Sequence, residues 1–268
     1  MHNIHHYFEL AKTQQNFAID ASWGQGRSIF GGISAALILT HIEAQTGLGD
    51  RDLRSVAVQF CGATTADAPC ELSFQILSQG KSIVQVQGML KQDGNVITSL
   101  NACFGFTRDS SLTVEAQTIT PKTHFSECKA MPYMKGVVPE FVQHVDLRYT
   151  SGAFPFAGTD KTQVNGWMSF KDAPKTFTDS AILALIDAWP PAVLPMLDKP
   201  APASSVTWSV EFVMPRAELA SDDMLYYECD IKQAGLGYAH TEGQVYHPNG
   251  ELLALTRQLV TIYDKRSK

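Results

Sequence analysis

The chain repeats itself, and this internal repeat constrains its fold more than any other feature of the sequence. The segment Val58-Gln59-Phe60 recurs as Val210-Glu211-Phe212, at an offset of 152 residues (212 minus 60). Three glycine pairs follow at nearly the same offset: Gly80 with Gly235 and Gly88 with Gly243, both at 155, and Gly94 with Gly250, at 156. Because the offset drifts so little, the halves differ only by small loop insertions, and the sequence predicts two copies of one fold.

Each copy contains one helical segment that is apolar nearly all round, together with segments that alternate like strands. The helices are predicted at residues 28–43 and 178–189, with Thr178 as the N-cap of the second. Strands are predicted at 54–61, 70–77, 82–88 and 96–106, and in the second copy at 143–149, 163–170 and 206–212. A buried helix with an antiparallel meander is an α+β unit. We expect an N-terminal unit at 1–107, a linker at 108–138 and a C-terminal unit at 139–268.

Composition limits the classes of partner. Hydrophobic residues make up 44% and charged residues 18%, the net charge is −6 and the pI is near 5.7, so neither nucleic acid nor a membrane is an expected partner. The five cysteines include no Cys-x-x-Cys pair and no histidine at metal-ligand spacing, which predicts reduced thiols and no metal site. No signal-peptide pattern opens the sequence, so a soluble cytoplasmic protein is expected. The histidine-rich start, residues 1–7, is interpreted as a frayed terminus.

Two polar residues break the symmetry of the repeat. Gln258 lies in an apolar strand-like segment, and its equivalent in the first copy is Ala102 (258 minus 156). Asp187 lies in the second helix, whereas the first helix has no carboxylate before Glu43. Burial raises the pKa of a carboxyl group toward the range of a general base, and an unpaired buried amide costs about 1–3 kcal/mol. The alternatives are an amide satisfied within the core and a carboxylate that faces solvent.

Four segments carry a resemblance to a known family. They are Phe-Gly-Gly at 30–32, Leu-Ile-Asp-Ala at 185–188, Ser-Ser-Val-Thr-Trp-Ser-Val-Glu-Phe at 204–212 and Gly-Gln-Val-Tyr-His-Pro-Asn-Gly-Glu-Leu-Leu-Ala-Leu-Thr-Arg-Gln at 243–258. Together they resemble the type II acyl-CoA thioesterases, over essentially the whole chain and most specifically in its last quarter. The resemblance implies two tandem hotdog folds, each an antiparallel sheet wrapped around a central helix, with an acyl-CoA substrate and no cofactor.

The resemblance also implies a catalytic site. In that family an Asp, a Ser or Thr and a Gln are arranged around a water, and the matching positions here are Asp187, Ser205 and Gln258. Ser204 and Thr207 stay open as the hydroxyl residue, because a slip of one residue in a strand moves a side chain to the opposite face.

The glycine pair at the start of the first helix is a candidate substrate-binding element. The free N–H groups of a first helical turn suit a substrate carbonyl oxygen, although close packing explains Gly31 and Gly32 equally well. We therefore take Gly31, Gly32 and Thr207 as candidate substrate-binding residues.

The expected function is hydrolysis of acyl-CoA thioesters to free fatty acid and CoA, by a water that Asp187 activates. No Gly-x-Ser-x-Gly nucleophile elbow is present, so a water is the expected nucleophile. The alternatives are a non-catalytic acyl-CoA-binding protein and an enoyl-CoA hydratase, but a hotdog hydratase pairs its Asp with a His about five residues on, which Asp187 lacks. A homodimer through the edges of the hotdog sheets is a possible assembly.

Overall fold

The computed structural model describes residues 1–264, within which three α-helices and thirteen β-strands form. The helices are α1 (Ile4–Thr13), α2 (Gly31–Gln45) and α3 (Asp179–Ile186). The strands of the N-terminal half are β1 (Asn16–Ala18), β2 (Gly24–Gln25), β3 (Ser28–Ile29), β4 (Asp52–Phe60), β5 (Pro69–Gln79), β6 (Ile83–Gln92) and β7 (Asn95–Gly105). Those of the C-terminal half are β8 (Val145–Ser151), β9 (Gln163–Phe170), β10 (Ala203–Phe212), β11 (Leu225–Gly235), β12 (Tyr238–Tyr246) and β13 (Leu252–Ile262). Among the described residues, no helix combines the length and the apolar character needed to span a bilayer.

Eleven of the strands form one continuous antiparallel sheet. Their order is β1-β5-β6-β7-β4-β10-β13-β12-β11-β9-β8, so that β4 and β10 pair at the centre and join the two halves. Ala57 of β4 pairs with Ser209 of β10, and these residues are 152 positions apart (209 minus 57), which is the offset of the repeat. A residue that pairs with its own repeat equivalent lies on a local twofold axis. The two halves are therefore related by an approximate twofold rotation, and the architecture is the expected α+β double hotdog.

The pairing register relates the two copies residue by residue. Val56 and Trp208 are repeat equivalents (208 minus 56 is 152), and they pair with Ala102 of β7 and Gln258 of β13 respectively. Ala102 and Gln258 therefore occupy equivalent positions in the two halves. This register confirms the correspondence that the glycine offsets predict, and it shows that the amide is present in the C-terminal half alone.

Helix α2 is buried because its residues are small or aliphatic on nearly every side. Each residue from Gly32 to Ile42 is buried, as the dense apolar pattern predicts. Gly88 of β6 lets the helix lie directly on the sheet, since a Cβ at this position would lie 2.3 Å from Cγ2 of Ile38. Helix α3 packs against α2 and begins at the predicted N-cap Thr178, whose hydroxyl oxygen accepts a hydrogen bond from the N–H of Ala181.

The N-terminus departs from the expectation of a frayed segment. Residues 4–13 form α1, and the side chain of the N-cap Asn3 accepts a hydrogen bond from the N–H of His6 at 3.1 Å. The buried residues of α1 are Ile4, Tyr7, Phe8 and Ala11. Their spacing is that of one helical face, and this face packs on α2. The interpretation as a frayed terminus is therefore wrong, because the apolar face outweighs the histidines.

The segment between the two halves covers part of the outer face of the C-terminal sheet, the face opposite the helices. Ile119, Phe125 and Cys128 of this segment pack against an aromatic cluster made of Trp167, Tyr226 and Tyr246 with Met224. The indole Nε1 of Trp167 donates to the carbonyl oxygen of Thr123 at 2.9 Å. Residues 119–128 are thus held on the sheet by apolar contacts as well as by hydrogen bonds.

Candidate active site

Asp187 and Gln258 are 71 residues apart in the sequence and meet on the inner face of the sheet. Helix α3 ends at Ile186, so that Asp187 takes the C-cap position. Gln258 lies in β13, and its Nε2 donates a hydrogen bond to Oδ1 of Asp187 at 2.9 Å. Asp187 lies deep in the protein yet keeps some accessible surface, as a side chain in the wall of an internal cavity does. The structure therefore brings together the predicted carboxylate and the predicted amide.

The N-terminal half contributes to the site through the start of α2. The backbone N–H of Gly32 lies near the Asp187 carboxyl group and lowers its pKa. First-turn N–H groups have no partner within their helix, and the N-cap residue Phe30 supplies no side-chain cap. A Cβ at Gly32 would lie 2.4 Å from the Phe30 ring and 2.8 Å from the carbonyl oxygen of Ala184. A glycine is therefore required for the start of α2 to lie this close to the end of α3.

Gly31 packs closely against the other carboxylate oxygen. A Cβ at Gly31 would lie 3.0 Å from Oδ2 of Asp187 and 2.9 Å from the Phe60 ring. The bond from Gln258 goes to Oδ1, so Oδ2 is the oxygen that lies beside the start of α2. A glycine is therefore needed at this position for α2 to approach both Asp187 and Phe60.

The electrostatic setting of Asp187 is that of a carboxyl group that is difficult to ionise. Burial raises the pKa of Asp187 from 3.8 to about 7, and the hydrogen bond from Gln258 and the nearby N–H of Gly32 offset part of this rise. Near neutral pH the carboxyl group is thus present in both ionised and protonated forms. A carboxylate of this kind has the proton affinity that a general base needs at physiological pH.

Ser205 lies on the same face of the sheet as Gln258. It pairs with Val260, which is two residues beyond Gln258 along β13, and side chains two residues apart in a strand point to the same face. The Ser205 side chain is partly buried. Within residues 1–264 its hydroxyl is not hydrogen-bonded to Asp187 or Gln258, so Ser205 flanks the pair without bonding to it.

The other two candidate hydroxyl residues are placed differently. A β-bulge between Ser205 and Thr207 shifts the register of β10, so that Thr207 pairs with Leu259. Thr207 is exposed on the outer face, and Ser204, also exposed, donates to the carbonyl oxygen of Ser205. The assignment of Thr207 as a substrate-binding residue is therefore corrected, because the sheet separates its side chain from Asp187.

Two residues near Asp187 are not among the predicted site residues. Phe60 packs against Gly31. Tyr227 is buried, which raises its pKa well above the ordinary value, and Cys229 and the charge of Asp187 add to this effect. The strand register makes Leu72 of the first copy the equivalent of Tyr227. Tyr227 is thus a polar residue present in one copy only, and the comparison of the two copies that identifies Gln258 would also identify Tyr227.

No group of three or more potential metal ligands occurs within residues 1–264. Two open depressions of about 450 and 460 Å³ lie elsewhere on the surface. The first is lined by Arg54 and Arg108, and the second lies on the outer face of the C-terminal sheet beside Glu228 and Arg257. The arrangement at Asp187, built from two helix ends and one strand, lies away from both depressions.

The raised pKa of Asp187 predicts a pH-dependent gain in stability for the Asp187→Asn variant. The pKa rises from 3.8 to about 7 on folding, so the stability that the neutral carboxyl group contributes is fully present below pH 3.8 and lost as the pH rises through about 7. Removing the ionisable group should therefore raise Tm relative to the wild type, by about 5 °C more at pH 8 than at pH 5. Calorimetry at pH 5 and pH 8 measures Tm of the variant and of the wild type, with the exposed Asp50→Asn as the control. The same change in Tm at both pH values would contradict the raised pKa.

Comparison with known proteins agrees with this architecture. The chain is similar over 97% of its length to a conserved hotdog protein of unknown function from Alicyclobacillus acidocaldarius, at 22% identity, 98% coverage of that chain and a TM-score of 0.80. It is also similar to a putative thioesterase II from Thermobifida fusca, at 18% identity, a TM-score of 0.74 and coverage of 92% and 91%. An acyl-CoA thioesterase II from Mycobacterium marinum aligns at 17% identity, with a TM-score of 0.70 and coverage of 92% and 91%. At these identities the likeness shows the hotdog fold.

The family is shown by sequence models. No curated protein matches the chain in sequence. Residues 19–105 match the model of the acyl-CoA thioesterase N-terminal domain, and residues 125–262 match that of the acyl-CoA thioesterase C-terminal domain. Since the two matches cover most of both halves, in the order in which the domains follow each other here, the chain belongs to the acyl-CoA thioesterase family and is a thioester hydrolase.

Proposed function

We propose that the protein hydrolyses acyl-CoA thioesters to a free carboxylic acid and CoA, with Asp187 as the general base. The observation that carries this proposal is the buried Asp187 carboxylate, whose Oδ1 is held by Gln258 while Oδ2 lies beside the start of α2. A water bound to Oδ2 would donate one proton to it while the water oxygen bonds to the thioester carbon. The C–S bond of the tetrahedral intermediate then breaks, and the proton on Asp187 passes to the thiolate of CoA.

The remaining groups of the site fit roles in the same reaction. Gln258 donates through Nε2 to Asp187, which leaves its Oε1 free to accept the second proton of the water. Ser205, on the same face, is placed to hold the water in line with the thioester carbon. We assign the stabilisation of the carbonyl oxygen to the N–H of Gly31, which opens the first turn of α2 and has no partner within the helix.

The assembly and location belong to this proposal as well. At one edge of the sheet, Ala130 bridges to Arg148 of β8 and so covers part of that strand. At the other edge β1 pairs only with residues 69–71 of β5, so the rest of β5 keeps an open edge with exposed Ile76 and Leu77. A homodimer through sheet edges would therefore form along β5. The five cysteines are free, which fits a cytoplasmic location.

Thiol release from a panel of acyl-CoA substrates, from butanoyl to palmitoyl, tests the proposed reaction. The wild type should release CoA from part of the panel, with kcat/KM rising as the pH passes through about 7, because only the ionised Asp187 acts as a base. Asp187→Asn should lower kcat by about 100- to 10,000-fold, the usual contribution of a general base, with an unchanged circular dichroism spectrum. The exposed Asp50→Asn is the control. No thiol release by the wild type would overturn the function, and full activity of Asp187→Asn would overturn the role of the base.

Gly31→Ala tests whether the reaction depends on the close approach of α2 to Asp187. The added methyl group would lie 3.0 Å from Oδ2 of Asp187 and 2.9 Å from the Phe60 ring, so the carboxyl group or the ring must shift. Gly31 lies in the first turn of α2, where alanine suits the backbone, so kcat should fall by about 100-fold while the helix content stays unchanged. Gly47→Ala, just beyond the other end of α2, is the matched control, since a Cβ there meets nothing within 4 Å. Equal activity of the two variants would show that the reaction does not depend on this contact.

A further inference from the structure

The inner faces of the two halves differ in polarity at equivalent positions. The strand register matches five residues of the N-terminal sheet with five of the C-terminal sheet: Leu72 with Tyr227, Phe74 with Cys229, Val86 with Thr241, Leu100 with Thr256, and Ala102 with Gln258. Every member of the first set is apolar, and every member of the second carries a hydroxyl, thiol or amide group. At these five positions the inner face is apolar in the N-terminal half and polar in the C-terminal half.

Two of the five polar residues already have a partner that explains them. Gln258 holds Asp187, and the Thr256 hydroxyl accepts a hydrogen bond from the indole Nε1 of Trp208 at 2.7 Å. The other three are Tyr227, Cys229 and Thr241, and we refer to them as the polar track. They remain to be explained, because the N-terminal half shows that apolar side chains fill these positions without loss of the fold.

The polar track leads directly away from the proposed catalytic residues. Thr241 of β12 pairs with Gln258, so its side chain lies one strand, or roughly 4.8 Å, from the amide. Cys229 and Tyr227 follow on β11, one strand further, and Cys229 contacts both of the other members. Burial raises the pKa of Cys229, and its contacts with Tyr227 and Thr241 offset part of that rise.

The polar track offers hydrogen bonds to a polar ligand. Cys229 and Thr241 are each 5% exposed and Tyr227 is 8% exposed, so little of each residue is accessible. Within residues 1–264 the hydroxyl oxygens of Tyr227 and Thr241 are not among the fully buried polar atoms that lack a partner. A ligand oxygen at the polar track would therefore gain a hydrogen bond that an apolar group cannot make. The charge of Asp187 reaches Tyr227, which places the track next to the base.

An aromatic wall closes the far end of the polar track. The ring of Trp189 stacks on Tyr227 with centroids 5.6 Å apart and an interplanar angle of 11°. Tyr149 packs edge-on against Trp189 at 5.0 Å. Gly243 leaves room for this arrangement, since a Cβ there would lie 3.1 Å from the Tyr227 ring. The wall limits the length of any group that extends from Asp187 along the track.

We propose that Tyr227, Cys229 and Thr241 form a subsite for the acyl group, which selects short acyl-CoA substrates that carry a hydroxyl or keto oxygen on the first few carbons beyond the thioester. The inference rests on the proposed hydrolysis at Asp187 and specifies its substrate class. Thr241 and Tyr227 hydrogen-bond to the oxygen of the acyl group, and the stacked Trp189 bounds its end. A saturated acyl chain leaves these hydroxyl groups without a strong partner and is hydrolysed less efficiently.

Substrates matched in length test the polar track. The assay measures kcat/KM for hexanoyl-CoA, β-hydroxyhexanoyl-CoA and δ-hydroxyhexanoyl-CoA, and reports the ratio of each hydroxylated substrate to hexanoyl-CoA. For the wild type at least one of the two ratios should be about 3 to 10, which is the usual effect of one neutral hydrogen bond. Tyr227→Phe and Thr241→Val each remove a hydroxyl group and little volume, so each should bring that ratio back toward 1. Thr40→Val is the matched control, since Thr40 is buried in α2 and bonds to Ala36 of its own helix.

The outcomes separate the subsite from the reaction itself. A wild-type preference that one of the two subsite variants removes and Thr40→Val retains supports the subsite. Efficient hydrolysis of hexanoyl-CoA with a ratio at or below 1 for both hydroxylated substrates overturns the subsite and leaves the proposed reaction standing. A preference that neither Tyr227→Phe nor Thr241→Val reduces also overturns it. If no thioester is hydrolysed at all, the proposed reaction fails, and the subsite fails with it.

Discussion

The hydrogen bond from Gln258 to Asp187 is the contact on which the site depends. It joins the last strand of the sheet to the end of α3, and the N–H of Gly32, at the start of α2 in the other half, lies near the same carboxyl group and lowers its pKa. Both N–H groups favour the ionised form, and in a poorly solvated site such interactions are stronger than in water. Burial still outweighs them, because the pKa of Asp187 lies near 7. The balance leaves a carboxylate that is fixed in position and has a high affinity for a proton.

The approximate twofold symmetry explains why the chain has one such site. At the opposite end of the helix pair the Ser180 hydroxyl donates to Glu43 of α2 at 3.3 Å, and burial together with the nearby Asp179 raises the pKa of Glu43 to about 8. The sheet there offers Ala102 in place of Gln258. Without an amide on the inner face, that carboxyl group lacks the donor that would hold it against the sheet. At the five equivalent positions of the inner face, the N-terminal half is apolar and the C-terminal half carries the polar groups.

The sequence predicts much of this arrangement because the chain contains two copies of one pattern. Comparing the copies is enough to identify Gln258 and Asp187 as an asymmetry between the halves, and the alternating segments predict most strands within a few residues.

The side on which each hydroxyl lies is not predictable in this way, since a single bulge residue at Val206 decides the face that Thr207 occupies. The nearness of Gly32 to Asp187 depends on how closely two helices approach, which spacing along the chain does not specify. The apolar residues of helix α1 have helical spacing in the sequence, but the neighbouring histidines suggest a frayed end.

The central claim is that Asp187 is a buried carboxyl group that ionises near neutral pH, and direct titration tests it best. Protein labelled with ¹³C at the aspartate carboxyl carbons gives one carbon resonance for each Asp, and Asp187→Asn identifies the resonance of Asp187 by its absence. We expect this resonance to shift with a midpoint near pH 7, in accord with the raised pKa. A midpoint near 3.8, the ordinary value for an aspartate, would show that the carboxyl group is solvated and would contradict its role as the base.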